Sequence, residues 1–401
     1  MPANALGNDR MRIPRTVWML GFVSLFMDLS SELIHALLPI FLVTTMGMSV
    51  SALGVLEGAA EATAMIVKIF SGSLSDWLGR RKALLLAGYG LAALSKPLFP
   101  LAGTPAVIFA ARLIDRVGKG IRGAPRDALV ADVAPPQIRG ACFGLRQSMD
   151  TVGAFAGPIA AILLMLSFHE NIRAVLWFAV APAFISLGLI AFGVKEPAGA
   201  GNAGPFRSAL SWRTLREFPA RYWFVVVLGA AFTLTRFSEA FLVLRAQQTG
   251  MNIAWIPGAM AIMSVVYSLS AYPAGVLSDR VDRRILLALG LVILIAADLV
   301  LGAGASIVTV LIGVALWGLH MGLTQGILAA MVAETAPQAL RGNAFGLFNL
   351  FSGVGMLFAS VIAGWLWDSH GAPATFYAGA ALAVIPLAMC RFAPRLAKQN
   401  H

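Results

Sequence analysis

Cysteine is almost missing from this chain of 401 residues: only Cys142 and Cys390 occur. Two cysteines so far apart support neither a disulfide framework nor a thiolate metal site. Histidine is sparse, with five scattered copies, and builds no metal cluster. Charge is scarce as well. Asp, Glu, Lys and Arg make up 12% of the chain, against about 25% in an average soluble domain. A soluble protein of this length could not cover itself with so little polar surface. There is no H-E-x-x-H, no G-x-S-x-G and no phosphate-binding loop. Zinc proteolysis, serine hydrolysis and nucleotide-driven pumping therefore find no support. The chain reads as a non-enzyme that needs no cofactor.

What is present is apolar. Hydrophobic residues are 59% of the chain, and the mean hydropathy is +0.80. A bilayer is the natural solvent, and about 20 apolar residues cross it as a helix. Apolar stretches at 16–45, 51–75, 83–103, 105–131, 141–167 and 174–193 predict six spans. A polar, Gly- and Pro-containing stretch over 194–221 follows. Six more spans are expected at 222–246, 253–277, 285–304, 306–333, 343–367 and 374–392. The expected fold is all-α and membrane-embedded: twelve transmembrane helices in two pseudo-symmetric six-helix bundles around a central cavity. Residues 1–193 form the first bundle, 194–221 a central cytoplasmic loop, and 222–401 the second bundle.

The net charge of +11 raises the question of nucleic acid, but the placement of the basic residues answers it. Of 30 Lys and Arg residues, 19 fall in alternate segments on one side; Lys96, Arg173 and Arg245 are assigned to the other. That asymmetry is the signature of membrane topology and sets both termini in the cytoplasm. Residues 1–15 are polar and an apolar stretch begins near Thr16, so the first span reads as uncleaved. Short loops suit a bacterial inner membrane. The expected partners are lipid, protons and a small-molecule solute, with no nucleic acid.

An internal repeat supports the two-bundle reading. Residues 130–153 (VADVAPPQIRGACFGLRQSMDTVG) and 332–355 (VAETAPQALRGNAFGLFNLFSGVG) share 11 of 24 positions. Gly72-Ser-Leu-Ser-Asp76 ends span two before Arg80-Arg81, and Gly275-Val-Leu-Ser-Asp279 ends span eight before Arg283-Arg284. Parallel halves related by an axis along the membrane normal place a solute site between them, near mid-bilayer.

Gly72-Ser-Leu-Ser-Asp76-Trp-Leu-Gly79-Arg80-Arg81-Lys82 closely resembles the loop motif G-x-L-x-D-x-x-G-R-R-K of the major facilitator superfamily. The resemblance extends over the whole chain. It implies alternating access by a monomer, with Gly72, Asp76, Gly79, Arg80 and Arg81 forming a latch that holds the halves together in the outward-open state. Asp279 would belong to a degraded second latch, since Asp282 stands where the first copy has Gly79. Gly153-Ala-Phe-Ala-Gly157-Pro158 resembles the G-x-x-x-G-P motif of proton-coupled antiporters in that superfamily. Ala161 and Ile162 replace its further glycines. Arg112 matches the superfamily's span-four arginine, while Asp115 and Arg116 depart from the pattern.

Charges inside spans are costly, about 2.5–3.5 kcal/mol each on insertion scales, and mark function or fixed ion pairs. Asp28, Glu32 and His35 share one stripe of span one. Glu61 with Glu57, and Arg146 with Asp150, are four apart on spans two and five. Arg112, Arg116 and Lys119 share a face of span four. A carboxylate that moves between an apolar setting and an arginine can take up and release a proton. Asp28, Glu32, Glu61 and Asp150 are the candidates for that role. Glu57 and Lys68 read as structural. Candidate cavity residues are His35, Arg112, Asp115, Arg116 and Arg146 in the first half. In the second they are Arg236 and Glu239, expected to pair, and the arc Trp317, His320 and Thr324. The expected function is proton-coupled secondary transport of a small organic solute, with efflux antiport favoured by the glycine motif. The alternative is proton-coupled uptake of a small anionic or zwitterionic compound, such as an organic acid or siderophore.

Overall fold

The computed structural model describes residues 13–196, 215–278, 281–337 and 340–392, without the side chains of Ser73 and Asp76. Asp279 and most of the central stretch, 197–214, lie outside the described residues, so neither is characterised. All regular structure among the described residues is helical. Helix α1 is Arg15–Ile40, extended by a π-helical turn Phe41–Thr45. Then come α2 Val50–Leu78, α3 Arg81–Ser95, α4 Pro105–Val133 and α5 Arg139–Ser167. Helix α6 runs from Ile172 to Gly193 in three abutting pieces. The second set is α7a Ala220–Leu234, α7b Ala240–Gln248, α8 Pro257–Ser278, α9 Arg283–Ala303, α10 Ile307–Thr335, α11 Arg341–His370 and α12 Ala372–Met389.

Ten of the described helical segments are long and apolar enough to cross a membrane, and the chain is a multi-pass membrane protein. Two expected spans fall short for different reasons. Helix α4 has the length but carries Arg112, Asp115, Arg116, Lys119, Arg122, Arg126 and Asp127. The seventh, expected to be continuous, is broken: residues 235–239 leave the helix between α7a and α7b. No proline or glycine causes the break. Its ends are held instead, Thr235 Oγ donating to the Phe232 carbonyl and the Ser238 amide donating to Ser360 Oγ on α11.

The loop after α2 behaves as its glycine predicts. Gly79 closes α2 with φ +59, a left-handed conformation that costs other residues more. Arg81 then pairs with Asp132 at 2.8 Å, and its amide donates to Glu196 Oε1 at 2.5 Å.

Helices of each set pack mainly on one another: α1 on α5 and α6, α2 and α3 on α4, α8 and α9 on α10, α9 on α12, and α7a on α11. Large apolar side chains such as Phe192, Leu269 and Val308 point outward. That is stable only where lipid replaces water. Between the sets, α2 meets α11, α5 meets α8, and α1 meets α7b. The α2–α11 approach is glycine-made. A Cβ on Gly54 would stand 2.3 Å from the Ser360 carbonyl oxygen, and one on Gly364 2.7 Å from that of Val50. Small residues let the two backbones touch. The seam is completed at the end of the molecule away from the α2–α3 loop. There Asp368 accepts hydrogen bonds from the amides of Val50 at 3.2 Å and Ser51 at 2.7 Å.

Candidate functional site

Below that seam the two sets part around a cavity of about 850 Å³, which runs from Glu57 and Val243 down to Lys68, Asp127 and Phe345. Its walls are unlike. Helices α1, α2 and α4 supply Glu32, His35, Glu57, Glu61, Lys68, Arg112, Lys119 and Asp127. The opposite wall is largely apolar, with Phe232, Phe345 and Phe348, relieved by Gln325 and Asn349 and by Arg236 and Glu239 from the α7 break. Unwinding a helix in mid-membrane is tolerated where the freed backbone lines a cavity, and this break aims a cation and an anion into one.

The charged wall is an ordered network centred on α4. Arg112 donates to Glu57 Oε2 at 2.8 Å and contacts His35 Nε2. Arg116 donates to the same nitrogen at 2.8 Å, to Glu61 at 3.1 Å and to Asp115 at 3.0 Å. Asp115 turns away from the cavity and takes a 2.8 Å bond from Lys96, whose ammonium also reaches Ser31. Lys96 is thus buried between helices, not in the outer loop assigned to it from sequence. Because two guanidinium groups donate to His35 Nε2, its ring proton sits on Nδ1, which faces Glu32 Oε2 at 3.7 Å. Glu32 is consequently the acid of this wall whose close neighbour is a ring N–H rather than an arginine.

A second cluster lies beside the cavity. Arg146 pairs with Asp150 at 3.0 Å, Arg126 with Asp150 at 3.5 Å and with Ser24 at 3.1 Å. Asp28 stands next to Asp150, with Arg122 and Arg126 around it. The glycine motif makes this proximity possible. A Cβ on Gly153 would lie 2.4 Å from the Leu25 carbonyl oxygen and 3.1 Å from Asp28 Cβ, and one on Gly157 would lie 2.7 Å from Glu32 Cβ. The motif therefore receives α1 at the turn that carries both Asp28 and Glu32.

The structure brings together His35, Glu32, Glu61, Arg112, Arg236 and Glu239 on the cavity, and sets other candidates apart from it. Asp115, Arg116 and Arg146 are buried behind the wall, because their partners lie within the first set. Arg236 and Glu239 form no ion pair within 4.0 Å; each faces the cavity separately. Trp317, His320 and Thr324 do not line the cavity. All three are fully buried and turn toward α9 and α7. His320 Nδ1 bonds the Gly290 carbonyl at 2.8 Å, its ring stacks on Phe232, and Trp317 packs on Phe237. Glu57, read from sequence as structural near a membrane face, is held in a buried ion pair with Arg112 and also reaches the other wall, accepting from Ser238 Oγ at 3.4 Å. Its four-residue spacing to Glu61 was the signal that both face inward.

The sequence profile described as Major Facilitator Superfamily matches residues 20–266 and 240–400. An uncharacterised MFS-type transporter of Methanocaldococcus jannaschii is 31% identical over 386 residues, covering 94% of each chain. Multidrug resistance protein MdtH of Proteus mirabilis is 24% identical, covering 91% of this chain and 88% of its own. Among solved structures, the peptide transporter POT in complex with sulfate superposes with a TM-score of 0.78 at 16% identity, over 96% of both chains.

Proposed function

Given that the chain belongs to the Major Facilitator Superfamily, we propose that it is a proton-coupled antiporter that expels a small organic solute by alternating access, each six-helix half moving as a body. One observation carries this reading: a cavity walled by both sets of helices, sealed at one end and open at the other, with acids on its surface. The basic loops support a cytoplasmic position for the open end, and on that reading the state is inward-open. Glu32 is the leading proton carrier. It lines the cavity, has the His35 ring beside it at 3.7 Å, and stands on the α1 turn seated in the antiporter-like glycines. Asp28 and Asp150 form a second station beside the cavity, with Arg126 paired to Asp150. Glu61 is held by Arg116 and is less free to change partners.

The α2–α3 loop fits the same cycle. In this state Arg81 is engaged with Asp132 and Glu196 of its own half. Asp76 acts in the opposite state, when the cytoplasmic ends meet. The multidrug resistance name of one relative supports export over uptake.

The test is transport in proteoliposomes, with solutes chosen from a thermal-shift screen, since a binder raises apparent stability by mass action. An antiporter moves solute against an imposed proton gradient and releases protons in exchange. Solute and proton moving together would overturn the direction, and solute flux indifferent to the gradient would overturn the coupling.

A further inference from the structure

The charged groups on the cavity sort into two kinds. Arg112, Glu57, Glu61 and Asp127 are held in ion pairs within the protein. Among the described residues, Lys119, Arg236, Glu239 and, at the end marked by Asp127 and Phe345, Lys68 have no ion-pair partner, although all four line the cavity. The Arg236 Nε is buried without any hydrogen-bond acceptor. Groups left unpaired in a membrane interior are costly, and a cavity that keeps them has a use for them. They are of both signs and come from both walls: Lys68 from α2 and Lys119 from α4, Arg236 and Glu239 from the α7 break. Beside them lie Phe232, Phe345 and Phe348, an apolar shelf with no charge of its own.

We propose that the solute is an amphipathic zwitterion, its anionic group held by Lys119 and Arg236, its ammonium by Glu239 and Glu32, and its apolar body on the phenylalanine shelf. This rests on the antiport reading and deepens it. An ammonium and a proton compete for the same carboxylates, so binding of one expels the other. Such mutual exclusion is what an antiporter requires, and it is reciprocal by linkage. A simple organic anion would instead bind better with the carboxylates protonated, which is the logic of a symporter. The groups that face Glu32 are His35 on its own helix, Glu61 on α2, Arg112, Arg116 and Lys119 on α4, and Glu239 at the α7 break. Those that face Glu239 are Arg236, Glu32, Glu61, Lys119 and, from α8, Tyr267.

The experiment measures equilibrium binding to the purified full-length protein by microscale thermophoresis. The probes are L-tryptophan and 5-benzyloxy-L-tryptophan, each beside its N-acetyl derivative, which is an anion, and its methyl ester, which is a cation. At least one parent zwitterion is expected to bind tenfold or more tighter than both derivatives. Lys119→Gln and Arg236→Gln should each weaken the zwitterion at least tenfold and leave the methyl ester unchanged. Glu239→Gln should bring the zwitterion down to the level of its N-acetyl derivative. Melting temperatures of the unliganded variants show that they fold. Equal or tighter binding of either derivative, or no binding by either zwitterion, overturns the proposal. The pH dependence separates it from the reading beneath: zwitterion binding that does not weaken as pH falls leaves the solute class standing and sinks proton competition.

Discussion

Asp368 at the end of α11 and Ser51 in the first turn of α2 are joined by a 2.7 Å hydrogen bond from the Ser51 amide to the carboxylate. The bond crosses from one set of helices to the other. An acid at a helix N-terminus satisfies amides that have no partner in the helix and meets the positive end of its dipole. It fastens the seam at the end away from the α2–α3 loop without a basic side chain.

Asp368→Ala should loosen that seam and leave the cavity intact. The measurement is labelling of a cysteine placed at Val243, with Cys142 and Cys390 replaced by serine, using an impermeant maleimide added outside intact cells. Labelling is expected to quicken at least threefold over the parent. An unchanged rate would show that glycine packing alone keeps the outer end shut.

Arg112 and Lys119 are one face of α4 but differ in their surroundings. Removing Arg112 leaves Glu57 buried without its ion pair, and breaking such a pair costs about 3–5 kcal/mol. Arg112→Ala should therefore lower the melting temperature markedly. Lys119→Ala leaves no group unpaired and should melt with the parent while losing transport. The reverse pattern would move Arg112 from the scaffold to the solute.

Glu32→Gln should hold the fold and lose the gradient. Accumulation driven by protons is expected to fall at least tenfold, while solute exchange without a gradient persists. Asp28→Asn is the comparison, because its carboxyl is set among Arg122, Arg126 and Asp150 instead of on the cavity. If Glu32→Gln still concentrates solute and Asp28→Asn does not, the proton travels through the second cluster.

Gly153→Ala puts a methyl group where the Leu25 carbonyl stands 2.4 Å away. Overpacking of this kind costs about 1–3 kcal/mol, read as a lower melting temperature. Gly140→Ala, whose Cβ meets nothing within 4 Å, removes only a glycine from a helix and should be neutral or slightly stabilising, by up to about 1 kcal/mol. Equal effects would mean that α1 and α5 separate readily.

Much of the architecture was legible before the structure, because a bilayer makes sequence pattern unusually binding. Apolar runs had to become helices, and the repeat at 130–153 and 332–355 announced their doubling. The α7 break was not legible. Thr235, Arg236, Phe237, Ser238 and Glu239 interrupt an apolar run without a proline or glycine, and the unwinding depends on Ser360 from a helix more than 100 residues away. Helical periodicity correctly gathered Trp317, His320 and Thr324 into one arc, but a period gives a face and not its neighbour. Gly290 decided that: its missing side chain admits Thr324 against α9, and its carbonyl holds His320 Nδ1. The cavity acids were found because charge in an apolar span is conspicuous. Glu57 was read as structural and is held in an ion pair with Arg112, but its distance along the helix from the membrane edge says nothing of which wall it joins.

The break at 235–239 also separates the order of the chain from the order of the machine. Helix α7b follows the central loop in sequence, yet it packs against α1 of the other set. A cut at the central loop would give two polypeptides that match the repeat. It would also strip α7b of the surface it rests on, so the two pieces should assemble only when made together, each serving as the template for the other.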